Sequence, residues 1–149
     1  MDRRTRVCVV IIVAGLANFV AYTAGWALIG GDAMNGYVRL EGPGGSVRQY
    51  FLVRHGVEVR EVSAAAWVYS AVHAISVPLT VGAVLLAMLT LAKDRLIAAM
   101  HSTLVRGRAF MTALAVVIAA LMVTISAYFT WYTIAQLAAP PLAAGGGGA

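Results

Sequence analysis

Three long stretches of this chain carry no charged side chain. They run from Val7 to Gly31, from Val62 to Ala92 and from Ala109 to Ala149. Each includes an apolar run of about 20 residues or more, which as a helix would cross the roughly 30 Å hydrocarbon core of a bilayer. The pattern predicts an all-α membrane protein with three transmembrane helices, arranged as an up-down-up bundle.

The charge pattern divides the chain into seven predicted segments. These are a basic tail (1–6), three transmembrane helices (7–30, 63–92 and 109–137), an outer loop (31–62), a basic inner loop (93–108) and a disordered outer tail (138–149). The first apolar stretch also resembles a secretory signal, but it is longer than the 7–15 residues typical of one. We therefore expect an uncleaved signal anchor. Cleavage near Gly31 is the alternative, and it would leave a two-helix hairpin.

The composition and the positions of the charges support this assignment. Hydrophobic residues make up 61% of the chain and charged residues 11%, whereas soluble domains carry about 25% charged residues. Of the 11 basic residues, seven lie in segments 1–6 and 93–108, and four lie in the outer loop beside four acidic residues. Because basic residues concentrate on the cytoplasmic side, we expect the N-terminus inside and the C-terminus outside a bacterial cytoplasmic membrane.

The tryptophans indicate the same topology independently. Trp26, Trp67 and Trp131 would all fall at the outer interface of an up-down-up bundle, where aromatic belts form. The same belt is expected to include Tyr69, Phe129 and Tyr132. The basic residues flank helix ends and do not form an aromatic-interleaved patch, so we expect membrane lipids as partners and no nucleic acid.

The outer loop has the pattern of short strands. Runs rich in Val, Tyr and Phe, at 37–40, 46–53 and 57–60, are separated by turn signals at Asn35-Gly36, Gly42-Pro43-Gly44-Gly45 and His55-Gly56. We expect a β-hairpin-like or three-stranded flap. Because isolated hairpins are marginally stable in water, the flap should rest on the helix ends, on the membrane surface or on a partner.

Small residues recur every four positions in each predicted span, and such rows let helix backbones approach closely. The rows are Ala17, Ala21 and Gly25 in the first span, Ala66, Ser70, Ala74, Pro78 and Gly82 in the second, and Ala115, Ala119 and Ala127 in the third. We expect these rows to form the contacts between the helices.

Polar side chains adjoin these rows. Since an unpartnered polar group in hydrocarbon costs several kcal/mol, we expect a cluster buried inside the bundle. Its members are Asn18, Tyr22, Tyr69, His73, Ser76, Thr124 and Tyr128. Replacing His73 by leucine should then lower stability or assembly.

His73 is the one group within the predicted spans expected to titrate near neutral pH. The main expectation is a neutral histidine that bonds Tyr, Ser or Thr neighbours. One alternative is an axial ligand to haem or a pigment, although His55 and His101 lie in opposite loops and cannot provide a second ligand. The other is a gate or proton-relay role. The chain has no Gly-x-Ser-x-Gly, His-Glu-x-x-His, phosphate-binding glycine loop or Cys-x-x-Cys pattern. We expect no enzymatic activity, no metal site and no resident cofactor.

One run of residues resembles a pattern in small polytopic bacterial membrane proteins of unknown function. It comprises His55-Gly56, Glu61-Val62-Ser63 and Trp67-x-Tyr69-Ser70-x-x-His73, and the resemblance implies no activity. We therefore expect a non-enzymatic integral membrane protein, either an accessory, assembly or scaffold subunit of a membrane complex or a homo-oligomer. The alternative is a protein that binds a ligand or cofactor, such as haem, a pigment or a small apolar molecule, around His73.

Overall fold

The computed structural model describes residues 1–42, 47–54, 58–99 and 104–138, which form three long helices and a small sheet. In chain order these elements are α1 (Arg3–Ile29), β1 (Asp32–Glu41), β2 (Val47–Arg54), β3 (Glu58–Val62), α2 (Ala64–Ala99) and α3 (Leu104–Ala138). Each helix is long and apolar enough to cross a membrane. The prediction of three such helices and a three-stranded antiparallel sheet is confirmed. The expected turns at 43–45 and 55–56, His101 and the tail from residue 139 onward lie outside the described residues.

The helices extend beyond the predicted spans. α2 continues past Lys93 to Ala99, and α3 begins at Leu104, so most of the expected inner loop is helical. The charges there end the apolar stretch without ending the helix, because Lys, Arg, Leu and Ala are all good helix formers. At the other end of the chain, Asp2 caps α1 by accepting a hydrogen bond from the Thr5 amide (2.9 Å). Hydrogen bonds from Thr5 also hold the pKa of Asp2 below its usual value.

The sheet has the order β1-β2-β3, and both strand pairs are antiparallel. The turn expected at Asn35-Gly36 is instead a bulge inside β1. Asp32 pairs with Val53 and Tyr37 with Phe51, so residues 33–36 face a single residue of β2. The Asp32 carboxylate accepts hydrogen bonds from the backbone and side-chain amides of Asn35 (2.8 to 3.1 Å). This local side-chain-to-backbone contact holds the bulge, and it explains why the residues have the sequence pattern of a turn.

The chain divides into two compact units. The helical unit comprises Met1–Tyr22 and Ser76–Ala127, and the sheet unit comprises Thr23–Ile75 and Tyr128–Ala149. The sheet unit therefore contains the end of α1, the beginning of α2 and the end of α3 together with all three strands. The chain enters this unit along α1, leaves it along α2 and enters it again along α3.

The predicted small-residue row of α2 is largely buried, and its contact with another helix is at Gly82. In α2, Ser70, Ala74 and Gly82 are buried, and a Cβ on Gly82 would lie 2.7 Å from the Met122 Cγ atom. In α1, by contrast, the close contact with α2 is at Gly15, which does not belong to the predicted row. A Cβ there would overlap the Val84 side chain of α2.

The other two rows are largely outward-facing. In α1, Ala17 and Ala21 are exposed, and in α3 so are Ala119 and Ala127. The prediction that these four residues contact neighbouring helices is wrong for the single chain. Alanine is abundant in both helices, so a spacing of four residues does not by itself identify the packed face.

Candidate functional site

The best-packed part of the chain lies under the sheet. Ala33, Leu52, Trp67 and Ala71 have no exposed surface and form one apolar core. Side chains from the ends of α1 and α3 pack against this core, including Ile29 and Leu137. The predicted flap therefore rests on the helix ends of its own chain.

Trp67 does not belong to an aromatic belt, which corrects the prediction made for it. Its side chain is 0% exposed, and its ring lies 6.0 Å from the Tyr50 ring of β2. Trp67 lies near the end of a predicted span, where interfacial tryptophans are common, but the sheet covers its side chain. Trp131, in contrast, is 65% exposed, and its ring lies 6.3 Å from the Tyr128 ring. It has the exposure that a belt residue requires.

Two helix side chains cover the free edge of β1. Ser70 Oγ accepts a hydrogen bond from the Ala33 amide (3.1 Å), and Gln136 Oε1 accepts one from the Val38 amide (3.4 Å). The Gln136 side chain is itself oriented by a hydrogen bond from its Nε2 atom to the Tyr132 hydroxyl (3.0 Å). These bonds satisfy edge amides that would otherwise be available to another strand.

Arginines of the sheet contact the C-terminal ends of two helices. Arg48 donates to the Leu137 carbonyl at the end of α3 (2.7 Å), and Arg60 donates to the Leu28 carbonyl at the end of α1 (3.5 Å). Cations are favourable at these ends because the last carbonyls of a helix carry partial negative charge. From the sequence alone, these arginines were expected only to be charges balanced by nearby acids. The available signal was that neither helix has a basic residue in its own last turn.

A third arginine of the sheet contacts an aromatic ring. The guanidinium of Arg54 lies 4.9 Å from the centre of the Trp26 ring, a distance suited to a cation–π interaction. Trp26 itself is half-buried. The three arginines of β2 and β3 therefore fasten the sheet to α1 and α3.

Part of the predicted polar cluster forms in the helical unit. The Asn18 side chain donates to Ser76 Oγ (3.2 Å) and to Thr80 Oγ1 (3.0 Å). The Thr80 hydroxyl donates in turn to the Ser76 and Val77 carbonyls, which leaves its oxygen lone pairs to accept from Asn18. A polar contact of this kind joins α1 to α2 without any charge. Thr80 was not among the predicted members of the cluster.

A second polar pair lies in the sheet unit. The Tyr69 hydroxyl and His73 Nδ1 are 3.1 Å apart, and the two rings meet edge to face with centroids 5.4 Å apart. Both residues are on α2, four positions apart, so one turn of helix brings them together. His73 is half-buried, while Tyr69 is 53% exposed. The expected hydrogen bond between His73 and a tyrosine is therefore present.

The remaining members do not complete a buried cluster. Tyr22 is half-buried, but Thr124 is exposed and Tyr128 is 56% exposed. The prediction that Tyr69, Thr124 and Tyr128 are buried is wrong for the single chain. In α3 the buried polar side chains are Ser126 and Thr133, which lie on a different face of the helix. Both were missed because short hydroxyl side chains can bond to their own helix and give no distinct pattern.

The chemistry that these groups offer is limited. Among the described residues, no group of three or more His, Cys, Asp and Glu side chains is placed to hold a metal ion. The buried carboxylate of Asp32 is engaged by Asn35, and the Ser70 hydroxyl accepts from a β1 amide. The Asp32 contact lies within β1, and the Ser70 contact joins β1 to α2.

The chain matches no protein-family model, no curated protein and no solved structure. The proposals below therefore rest on the sequence and on the geometry of this chain.

Proposed function

We propose that this chain is a non-enzymatic, multi-pass protein of the bacterial cytoplasmic membrane that acts as an accessory or scaffold subunit. It would associate laterally, with copies of itself or with other membrane proteins, through the outward face of α1. The single observation that carries this proposal is that α1 leaves nearly all of its apolar window uncovered within the chain, with the small residues Ala17 and Ala21 on the uncovered surface.

Membrane insertion and orientation have separate support. Three helices are long and apolar enough to cross a bilayer, and their alternating entry into the sheet unit fits an up-down-up arrangement. The described basic residues outside the sheet, among them Arg3, Lys93 and Arg108, all belong to the helical unit. The positive-inside rule then puts the basic end of the helices in the cytoplasm and the sheet outside.

Cysteine labelling tests this orientation. In a Cys8→Ala background we expect a cysteine at position 41 (Glu41→Cys, in β1) to react with a membrane-impermeant maleimide in intact cells. A cysteine at position 94 (Asp94→Cys, near the end of α2) should react only after permeabilisation. Both native side chains are exposed, so folding does not limit either reaction. The reverse pattern would contradict the orientation, and release of the protein by alkaline extraction would contradict membrane insertion.

Lateral association is suggested by the face that α1 leaves uncovered. α1 approaches α2 through Gly15 and Asn18, while Ala17 and Ala21 are exposed on another side. Only 6% of the apolar window of α1 is buried within the chain. Small residues four positions apart allow close backbone contact between membrane helices. The spacing alone does not identify a packed face, but this face of α1 combines small side chains with exposure and with little burial of the whole helix.

Enlarging these two residues should abolish the association. For the variant Ala17→Leu with Ala21→Leu, we expect the oligomeric or partner-bound fraction to fall by about tenfold, because a loss of about 1.4 kcal/mol suffices for that change. The leucines should not disturb the monomer, since both positions are exposed. Native mass spectrometry after mild-detergent purification measures the fraction directly.

A matched control places added bulk elsewhere on α1. Val9→Phe with Leu16→Phe enlarges two side chains that are also exposed but lie on another side of the helix from the small-residue row. This variant should associate as the wild type does. Equal loss in both variants, or a wild-type particle that is strictly monomeric and without partners, would count against the proposed role.

Ligand binding at His73 is the second proposal. Its contact with Tyr69 at Nδ1 orients the imidazole ring, and such a contact also orients histidines that ligate metals through the other nitrogen. A visible absorption band from the purified protein would favour a haem or pigment at this residue. A spectrum with protein absorption alone would favour the scaffold role.

A further inference from the structure

A cavity of about 350 Å³ opens in the helical unit between the end of α2 and the beginning of α3. Its lining includes Lys93 and Thr90 from α2, and Arg108 and Thr112 from α3. Both helices belong to the same compact unit here. None of these residues takes part in the polar contacts of the sheet unit.

Two positive charges line this cavity, and no acidic side chain among the described lining residues accompanies them. In the part of the chain that the structure describes, the side chains of Lys93 and Arg108 make no hydrogen bond or ion pair, and no carboxylate lines the cavity. Arg4 adds a third cation beside the wall by donating to the Thr90 carbonyl, although Asp2 offsets part of its charge. Like charges that face one space are stabilised by an anion between them.

The rest of the cavity wall is apolar. Leu89 precedes Lys93 by one helical turn, and Met111 and Ala115 follow Arg108 by about one and two turns. Because α2 and α3 run in opposite directions here, the sequence order places the charges at one end of the cavity and these apolar side chains at the other. Thr90 and Thr112 lie beside the apolar side chains, but their hydroxyls donate to carbonyls of their own helices. This polarity matches a molecule with an anionic head and an alkyl chain.

We propose that this cavity binds one anionic phospholipid from the inner leaflet. Lys93 and Arg108 hold the phosphate, since ammonium and guanidinium groups are the usual phosphate donors in proteins. The first acyl-chain carbons lie along Leu89, Met111 and Ala115. This inference rests on the proposed membrane insertion, and it adds a specific lipid site to the general attraction between basic segments and anionic membranes.

The test compares lipid retention by the full chain. We expect native mass spectrometry of wild type, exchanged from equimolar phosphatidylcholine and phosphatidylglycerol nanodiscs into mild detergent, to show one retained phosphatidylglycerol. The variant Lys93→Gln with Arg108→Gln should retain it at least about tenfold less, because two charge-assisted contacts are removed. The variant Lys93→Arg with Arg108→Lys keeps both charges and should retain it.

A matched control separates the site from bulk charge. Arg3→Gln with Arg6→Gln removes two positive charges from the same end of the helical unit but none from the cavity lining. Equal loss in this control and in the glutamine variant of the cavity would overturn the proposal. Equal retention of phosphatidylcholine, or displacement of the lipid by inorganic phosphate, would overturn it as well.

The outcome is distinguishable from failure of membrane insertion. Alkaline extraction of wild-type membranes reports on insertion without involving the cavity. A protein that stays in the membrane pellet, but whose glutamine variant melts normally and still retains phosphatidylglycerol, would refute the lipid site alone.

Discussion

Replacing Trp67 with alanine is expected to lower the free energy of unfolding by about 3–5 kcal/mol, the usual cost of truncating a buried aromatic side chain. Trp67 is 0% exposed and lies in the core that joins the sheet to the helix ends. Its removal leaves a cavity lined by Leu52 and Ala71, which the backbone of a sheet and a helix cannot easily close. Denaturant unfolding in detergent, followed by far-ultraviolet circular dichroism, measures the loss.

Two other tryptophan variants control this experiment. Trp67→Phe keeps most of the apolar volume, and it removes an indole N–H that has no hydrogen-bond partner among the described residues. We expect it to cost less than about 1.5 kcal/mol. Trp131→Ala truncates an exposed ring and should change stability little in detergent. If Trp67→Ala and Trp131→Ala lose the same free energy of unfolding, the core under the sheet does not contribute the stability that its burial indicates.

Replacing Gly36 with alanine should disrupt the bulge that gives β1 its shape. A Cβ at this position would overlap the Phe51 carbonyl oxygen and lie 3.2 Å from the Asp32 carbonyl oxygen. Both are backbone atoms, so the strands must separate to admit a methyl group. We expect a loss near or above the about 1–3 kcal/mol typical of overpacking. Hydrogen exchange at the amides of β1 and β2 should accelerate selectively.

Gly82→Ala provides the comparison for this substitution. A Cβ there would lie 2.7 Å from the Met122 Cγ atom and 3.0 Å from its Cβ atom. A change of rotamer can move the Cγ atom, and the Cβ contact then requires only a small shift between the helices. We expect a smaller loss of stability than for Gly36→Ala, and no change in exchange at the sheet amides. An equal effect from both glycines would show that the Phe51 carbonyl is free to move.

The elements could be predicted from the sequence because their signals are local. Apolar stretches without charge indicate helices, and alternating Val, Tyr and Phe between turn residues indicates strands. The packed faces could not be predicted, because α1 and α3 are apolar on all sides and have no amphipathic contrast. Tyr128 shows the difficulty, since a tyrosine near a helix end is equally suited to a buried hydrogen bond and to an interface.

The candidate site was only partly predictable for a related reason. Asn18 and Ser76 were correctly associated, because an amide within an apolar helix requires a polar partner. Trp67 was assigned to a belt because a tryptophan near the end of a span is typical of one. The position of β2 over its ring cannot be derived from the sequence pattern. The contacts of Arg48 and Arg60 with helix carbonyls likewise depend on where the strands lie. Non-local contacts of this kind leave little trace in a single sequence.

The hydrogen bonds that Ser70 and Gln136 make to β1 limit how the sheet can grow. A sheet with two free edges can add copies at both sides and polymerise into a filament. Here two amides of the β1 edge are already bonded to helix side chains, and β3 is the opposite edge. Strand pairing between copies would therefore favour β3 with β3, which gives a closed pair, over open-ended growth.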